Sequence, residues 1–427
     1  MADTTITVPQ ETTKVAREKL AWAILLASFA VFLFFAISIP LGIRWYIQQA
    51  SVPQFAAAQS TGSVTPVLIQ LPDASDPVAL DVGRVKQDVV EGSVIRTDRT
   101  SQMQLDFFDR STLTIFPNSE VTLSQMRRPR FGQSNQASRI IVEVHSGRVR
   151  AQVSPSTRPE MHFELQTPQA PAPNGGIELQ AGSYAIETSN EVTHVSVRLG
   201  EASVSGQTGQ AIVLQPNERA EIPLGEAAAG PLPAKRNLLV NSDFQVPLVA
   251  APISQGDLTA EWAVVSDQGG DGGTVDGTVD IVTTGASRAI RFLRQGSNNN
   301  HGETGVVQLV NKHVDDYLSL NLSLYVEIAS QSLSGGGEQS SEFPLIARVD
   351  YTDRSGGQRH WTQGFFCQNP AQFNIMNGMS IPCNAPVPYE VDLKEVLYQP
   401  LRIDSIKIYA SGWDWDVYVS QVELIAE

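Results

Sequence analysis

A chain of 427 residues has room for two or three domains, each long enough to bury its own core. Its formal net charge of -15 leaves no basic face for phosphate contacts, so no nucleic acid is expected among its partners. The 32 glycines and 25 prolines are spread along the chain, which excludes a low-complexity polymer.

Residues 1–19 form a short polar tail. From 20 to 43 the sequence LAWAILLASFAVFLFFAISIPLGI carries no charge. At 1.5 Å per residue, about 24 such residues cross a ~30 Å hydrocarbon layer with some tilt, so a single transmembrane helix is predicted over 20–43. Trp22 on one side and Trp45 and Tyr46 on the other suit the two interfaces. Lys14, Arg17 and Lys19 precede the run, and Arg44 is the sole close cation after it. The positive-inside rule then makes this a single-pass protein of the cell membrane with its N-terminus in the cytoplasm and its bulk outside. The apolar run is too long for a cleaved signal, and no Cys follows it closely for lipid attachment. The bilayer is the first expected partner. Residues 44–79, rich in Ala, Ser, Gln and Pro without a period, read as a linker.

From Val82 the pattern turns to period two. Met103, Leu105 and Phe107 alternate with polar residues, then Leu113 and Ile115, then Val121 and Leu123. Ile140, Val142 and Val144 follow, and Val149, Ala151 and Val153 resume beyond Ser146-Gly147. Phe163/Leu165, Ile177/Leu179, Val195/Val197/Leu199 and Ile212/Leu214 complete the set. Short half-buried strands separated by Gly, Pro and Asn turns predict an all-β domain over 80–223. In Arg127, Arg128 and Arg130, with Arg139 nearby, the sequence offers either a solvated hairpin loop or a contact site for an acidic partner or lipid head group.

Several of these segments stand in the order of a known family. Gly83-Arg84-Val85, the stretch from Gly92 to Thr97, the hairpin from Asp109 to Ser119, Gly147-Arg148-Val149, the stretch from Phe163 to Pro168, and Leu199-Gly200-Glu201-Ala202-Ser203-Val204 resemble the FecR domain family. The resemblance implies an extracytoplasmic β-domain of the kind used in signal transduction. Asn174-Gly175-Gly176-Ile177 departs from the family's usual Gly-Thr step. Family members that regulate iron uptake engage a sigma factor through a cytoplasmic region. A tail of about 19 residues is too short for such a folded domain, so no sigma factor is expected.

Residues 224–236 read as a second linker. The opening NLLVNSDFQVPL and the ending IDSIKIYASGWDWDVYVSQVELI over 237–427 resemble galactose-binding-like jelly rolls, including many carbohydrate-binding modules. Strands are readable at 306–310, 318–328 and 345–351, and a C-terminal hairpin is expected between 405–409 and 417–424. The resemblance implies a structural calcium in many relatives. Here Gln245 follows Phe244 and the last strand lacks Asp, so no metal or other cofactor is expected. The acidic loop with Asp267, Asp271, Asp276 and Asp280 fits no EF-hand spacing and reads as a mobile loop. Cys367 and Cys383 flank a turn-rich stretch and could close a disulfide or remain two buried thiols.

Sugar recognition uses flat aromatic faces beside hydrogen-bonding groups. Trp413 and Trp415 would share one face of an extended segment, and Trp361, Tyr389, Arg359 and His360 are further candidates. The alternative is that these rings fill the sandwich core. No G-x-S-x-G, H-E-x-x-H, P-loop or C-x-x-C motif is present, and the six histidines are scattered. A non-enzymatic protein of the bacterial-type cell envelope is therefore expected. It either binds or senses a ligand such as a glycan, or serves as a structural component of an assembly with another envelope protein.

Overall fold

A computed structural model of the chain describes residues 11–61, 65–83, 86–155, 160–173, 175–249, 261–271, 275–284 and 287–427, with side chains from 17 onward. Arg84 and Val85, Asn174, residues 272–274 of the acidic loop and the first ten residues of the tail lie outside the described residues, as does the Lys14 side chain.

The N-terminal helix runs Glu11–Gln49, longer at both ends than the 20–43 expected. Within its Arg17–Gln49 portion an 18-residue apolar window packs against none of the protein, which makes it a candidate single-pass anchor by length and composition. Pro40 sits inside it without ending it. The Ser28 hydroxyl donates to the Ile24 carbonyl at 2.7 Å, and Ser38 donates to Phe34 in the same way. Both hydroxyls thus find their partner within the helix, as an apolar surrounding demands.

The segment 44–79, expected as a linker, is built into the fold. Ser51–Pro53 begins two residues after the helix and pairs antiparallel with Arg127–Pro129. Ala56–Ser60 pairs with Gln87–Val89 and with Met103–Asp106, burying Ala56 and Ala58 completely. Val67–Gln70 and Val78–Leu80 form a further pair. Small residues face inward here because neighbouring strands approach closely, and small residues hide the alternation that would have betrayed them. The first β unit therefore begins at Ser51.

Eighteen short strands from Ser51 to Pro233 close on themselves as a barrel. Its organising element is the 16-residue strand Ser138–Val153. The first part of this strand pairs with Met161–Gln166 and Glu120–Pro129, and the last part with Gly182–Thr188 and Thr112–Ile115. The expected break at Ser146-Gly147 is instead a corner within one strand, marked by a register shift between Val144 and Ser146. Ile140, Val142 and Val144 face in before it, and Val149, Ala151 and Val153 after it.

Residues 224–236 also differ from the expected linker. Ala229–Pro233 pairs with the strand Glu218–Pro223, and Arg236–Asn237 joins the sandwich sheet against Ala426 and Ile425. Two sheets form the C-terminal jelly roll. One holds, in spatial order, Thr278–Thr284, Ser287–Arg294, Trp415–Ala426, Leu320–Gln331 and Val387–Asp392. The other orders Ala263–Ser266, Gly302–His313, Pro400–Gly412, Leu345–Asp353, Gln358–Phe366 and Gly378–Ser380. The expected C-terminal hairpin is absent because Pro400–Gly412 and Trp415–Ala426 lie in opposite sheets. Both are central strands, and the chain crosses the sandwich at 413–414.

Gly147 has φ +89, and a Cβ there would lie 2.2 Å from Ser119 Oγ and 2.6 Å from the Asn118 carbonyl oxygen. Gly147→Ala should cost about 3 kcal/mol, whereas Gly225→Ala, at similar φ but in open space, should cost about 1 kcal/mol. Urea denaturation of the two variants beside wild type measures both. Equal losses would show that the corner is not closely packed.

Candidate ligand-binding site

The joint between the two units is built from charges that no sequence period reveals. Asp316, in the turn after the sandwich strand Gly302–His313, reaches into the barrel wall. Its Oδ2 accepts from Arg148 at 2.9 Å and Arg150 at 2.8 Å, and its carbonyl accepts from Arg150 and Arg198 at 3.1 Å each. Glu187 of the barrel answers in the opposite direction, pairing with Lys312 of the sandwich and with Arg236 at 3.0 Å. Tyr317 lies 4.4 Å beneath the Arg148 guanidinium and accepts from Arg236 through its hydroxyl.

Burial alone would raise the Glu187 carboxyl, but Lys312, Arg236 and Arg148 hold it well below the usual carboxylate range. Burial also pushes His194 and His313 down to about 4, aided by Arg236 and Arg402 respectively, so both imidazoles are neutral at pH 7. Asp315 behaves oppositely. Burial, reinforced by its neighbour Asp316, pushes it up to about 6, and its Oδ1 meets no donor among the described residues. Beside this joint a cleft with about 730 Å³ of space open to solvent is lined by Arg150, Arg198, Arg219, Arg236, His194 and Tyr317, among others.

The structure separates the residues singled out as ligand-binding. Trp415 is a core residue, 1% exposed, with the Arg294 guanidinium 5.3 Å from its ring. Arg294 is itself buried and donates to the carbonyls of Val275, Asn300 and Gly412 at 2.8–2.9 Å, tying three loops to one end of the sandwich. Trp413 is half-buried in the crossing segment, so the two tryptophans form no shared platform. The reason is the crossing itself: 413–414 is not extended strand but the step from one sheet to the other.

Trp361 and Tyr389 lie on the same side of the sandwich, linked through Gln363 and Phe365. Trp361, Gln363 and Phe365 project from one side of the strand Gln358–Phe366, whose 358–363 portion is unpaired along its outer side because Gly378–Ser380 pairs only with Gly364, Phe365 and Phe366. Tyr389, on the edge strand of the other sheet, packs edge-on to Phe365 at 5.1 Å and donates to Gln363 Oε1 at 3.3 Å. Both Trp361 and Tyr389 are half-buried against the core at the open side of the sandwich. Of the other two candidates, Arg359 is committed to Asp353 and stacks at 4.9 Å over Tyr398, while His360 is exposed. Cys367 and Cys383 are joined as a disulfide that closes the loop whose Ile375 packs against the cluster containing Phe343.

The arginine cluster lies at the end of a hairpin: Arg130 opens the loop that joins the antiparallel strands Glu120–Pro129 and Ser138–Val153. Arg127 and Arg128 end the strand Glu120–Pro129 beside the helix exit. Arg127 is held bidentate by Glu91 at 2.9–3.2 Å, while Arg128 and Arg130 are exposed without a carboxylate partner among the described residues.

An N-terminal candidate anchor, a closed β unit and a jelly roll joined by buried ion pairs define a membrane-associated protein with two β units. Within the barrel, residues 93–205 match the FecR protein family, so the chain carries a FecR domain. No curated protein matches the chain. Solved structures that are similar include a proposed anti-sigma factor from Parabacteroides distasonis, at 16% identity over 37% of this chain and 78% of that one, TM-score 0.27. A family 11 carbohydrate-binding module of a cellulosomal cellulase from Clostridium thermocellum is similar at 17% identity, over 45% of this chain and 95% of the other, TM-score 0.27.

Two substitutions test the joint. Asp316→Ala strands Arg148 and Arg150 in a buried site and should cost about 3–5 kcal/mol, splitting the thermal unfolding of the two β units into two steps. Asp315→Asn should do the reverse. Because the folded pKa of Asp315 is raised, its contribution is fully favourable below the unfolded value near 4 and is lost as pH rises through about 6. The Asn variant should therefore be more stable than wild type by about 2–3 kcal/mol at pH 7 and equal to it near pH 4. A stability difference that stays constant between those pH values would remove the buried, raised carboxyl from the account.

Proposed function

We propose that the protein is a membrane-anchored, non-enzymatic binding protein of the cell envelope that senses a glycan through the open side of its sandwich. The observation that carries this reading is the pair of half-buried rings Trp361 and Tyr389. Buried Phe365 and the Gln363 amide, which is itself tied to Gly364 and Asn377, hold Tyr389 in position, and positioned ring faces are what an apolar sugar face requires. The sensing half of the proposal is supported by the FecR domain and by the short connection between helix and barrel.

Glycan-array and peptidoglycan-sacculus binding by the purified full-length protein test the reading. Trp361→Ala and Tyr389→Ala should each weaken binding about ten-fold, near 1.4 kcal/mol, with cooperative unfolding retained. If the protein binds no glycan at all, the sandwich is instead a protein–protein module of an envelope assembly.

Orientation has its own test. Lys14, Arg17 and Lys19 before the span and Arg44 alone after it place the tail inside. Protease added to spheroplasts should then remove the chain beyond about residue 48 and spare the tail. Protection of the barrel would reverse the topology.

A further inference from the structure

The helix passes into the barrel without slack, and this fixes what lies against the membrane. Ala50 donates back to the Tyr46 carbonyl and accepts from the Arg130 amide at 2.9 Å. The Ser134 hydroxyl donates to the Gln48 carbonyl at 3.0 Å, and the Gln136 side chain donates to that of Gln49 at 3.0 Å. Phe131 packs edge-on to Tyr46 with ring centroids 6.0 Å apart. The segment 127–136 is thus fastened to the last turn of the helix at four points.

Ala50 is seven residues past Ile43, the end of the uncharged run, or about 10 Å along the helix axis. The polar headgroup layer occupies about 5–7 Å on each side of the hydrocarbon. Arg128 and Arg130 therefore stand just beyond the headgroups, with side chains long enough to reach back to them, and Arg44 stands within them. All three are exposed. The neighbouring arginines are spoken for: Arg127 by Glu91, while Arg139 lies beside Glu164 and His162. Arg130 also rests 5.9 Å from the Phe131 ring, which orients its guanidinium beside the Tyr46 contact.

We propose that Arg44, Arg128 and Arg130 form a collar around the helix exit that binds the phosphate groups of anionic lipid headgroups and seats the barrel on the bilayer. Guanidinium groups match phosphate oxygens in a two-bond geometry that a point charge lacks. The charge of the whole chain sharpens the case. A protein of net charge -15 is repelled by an anionic leaflet everywhere except where unpaired cations face it, and the one membrane-proximal segment carries them. The collar lies at the helix exit whichever side of the membrane the barrel occupies, so it stands or falls separately from the glycan reading.

The test uses full-length protein in nanodiscs of mixed phosphatidylglycerol and phosphatidylcholine, followed by native mass spectrometry of the lipids that stay bound. Wild type should retain phosphatidylglycerol about three-fold above its share of the bilayer, and less as salt is raised. The double variant R128Q/R130Q should retain the two lipids at the bulk ratio, with an unchanged melting temperature because both side chains are exposed. The double variant R99Q/R110Q, an equal loss of exposed charge away from the helix exit, should keep the enrichment. Wild type at the bulk ratio, or an equal loss of enrichment in R99Q/R110Q, would overturn the collar.

Discussion

Two carboxylates, Asp316 and Glu187, fix the arrangement of everything beyond the membrane. Each sits on one unit and gathers its cations mainly from the other: Asp316 of the sandwich takes Arg148 and Arg150 of the barrel, and Glu187 of the barrel takes Lys312 of the sandwich. The exchange is reciprocal, so neither unit can rotate against the other without stranding charge in a poorly solvated place. Arg236 completes the lock from the connecting segment itself, through Glu187 and Tyr317. The sandwich's open side is thereby held at a set angle to the barrel, and the barrel is held to the helix.

The same concentration of cations explains the less comfortable residues nearby. His194 and His313 stay neutral because burial and the adjacent arginines both oppose a further positive charge. Asp315 might be expected to profit from such a field, yet Asp316 has already drawn the nearest guanidiniums to itself. A second carboxylate one residue away then gains repulsion rather than relief. Stability at the joint thus comes from the match of particular partners, and surplus charge of either sign weakens it.

Much of this architecture was legible in the residues, and the omissions have physical reasons. Alternation found the strands from Met103 to Leu214, and the change of phase between Val144 and Val149 even contained the corner, although it reads equally as a turn. The strand at 56–60 escaped because Ala56, Ala58 and Ser60 bury little area and leave no hydrophobic trace, and those at 67–70 and 78–80 because each is too short to show a period. Pro400–Gly412 and Trp415–Ala426 looked like hairpin arms because both alternate, with Arg402, Asp404 and Lys407 on one and Asp416, Ser420 and Glu423 on the other turned outward. Alternation shows which face is covered, not which strand is the neighbour. The joint was invisible for a different reason. Arg148, Arg150, Glu187, Arg236, Lys312 and Asp316 span 168 residues at their widest, and each one alone is an ordinary charge on a strand or turn. Trp361 and Tyr389 could be named, but their meeting depends on which edges the two sheets leave open.

The strand Ser138–Val153 touches both ends of this construction. Arg139 stands opposite Arg127 beside the helix exit, while Arg148 and Arg150 hold Asp316 at the joint. Sixteen residues of extended chain cover about 50 Å. A pull on the sandwich relative to the helix therefore loads this one strand through both of its arms, on either side of the corner at Ser146-Gly147. Its hydrogen bonds to neighbours on both sides would then share the force at once, instead of opening one after another as in a peeled hairpin. The barrel in this sense resists shear between the sandwich and the helix.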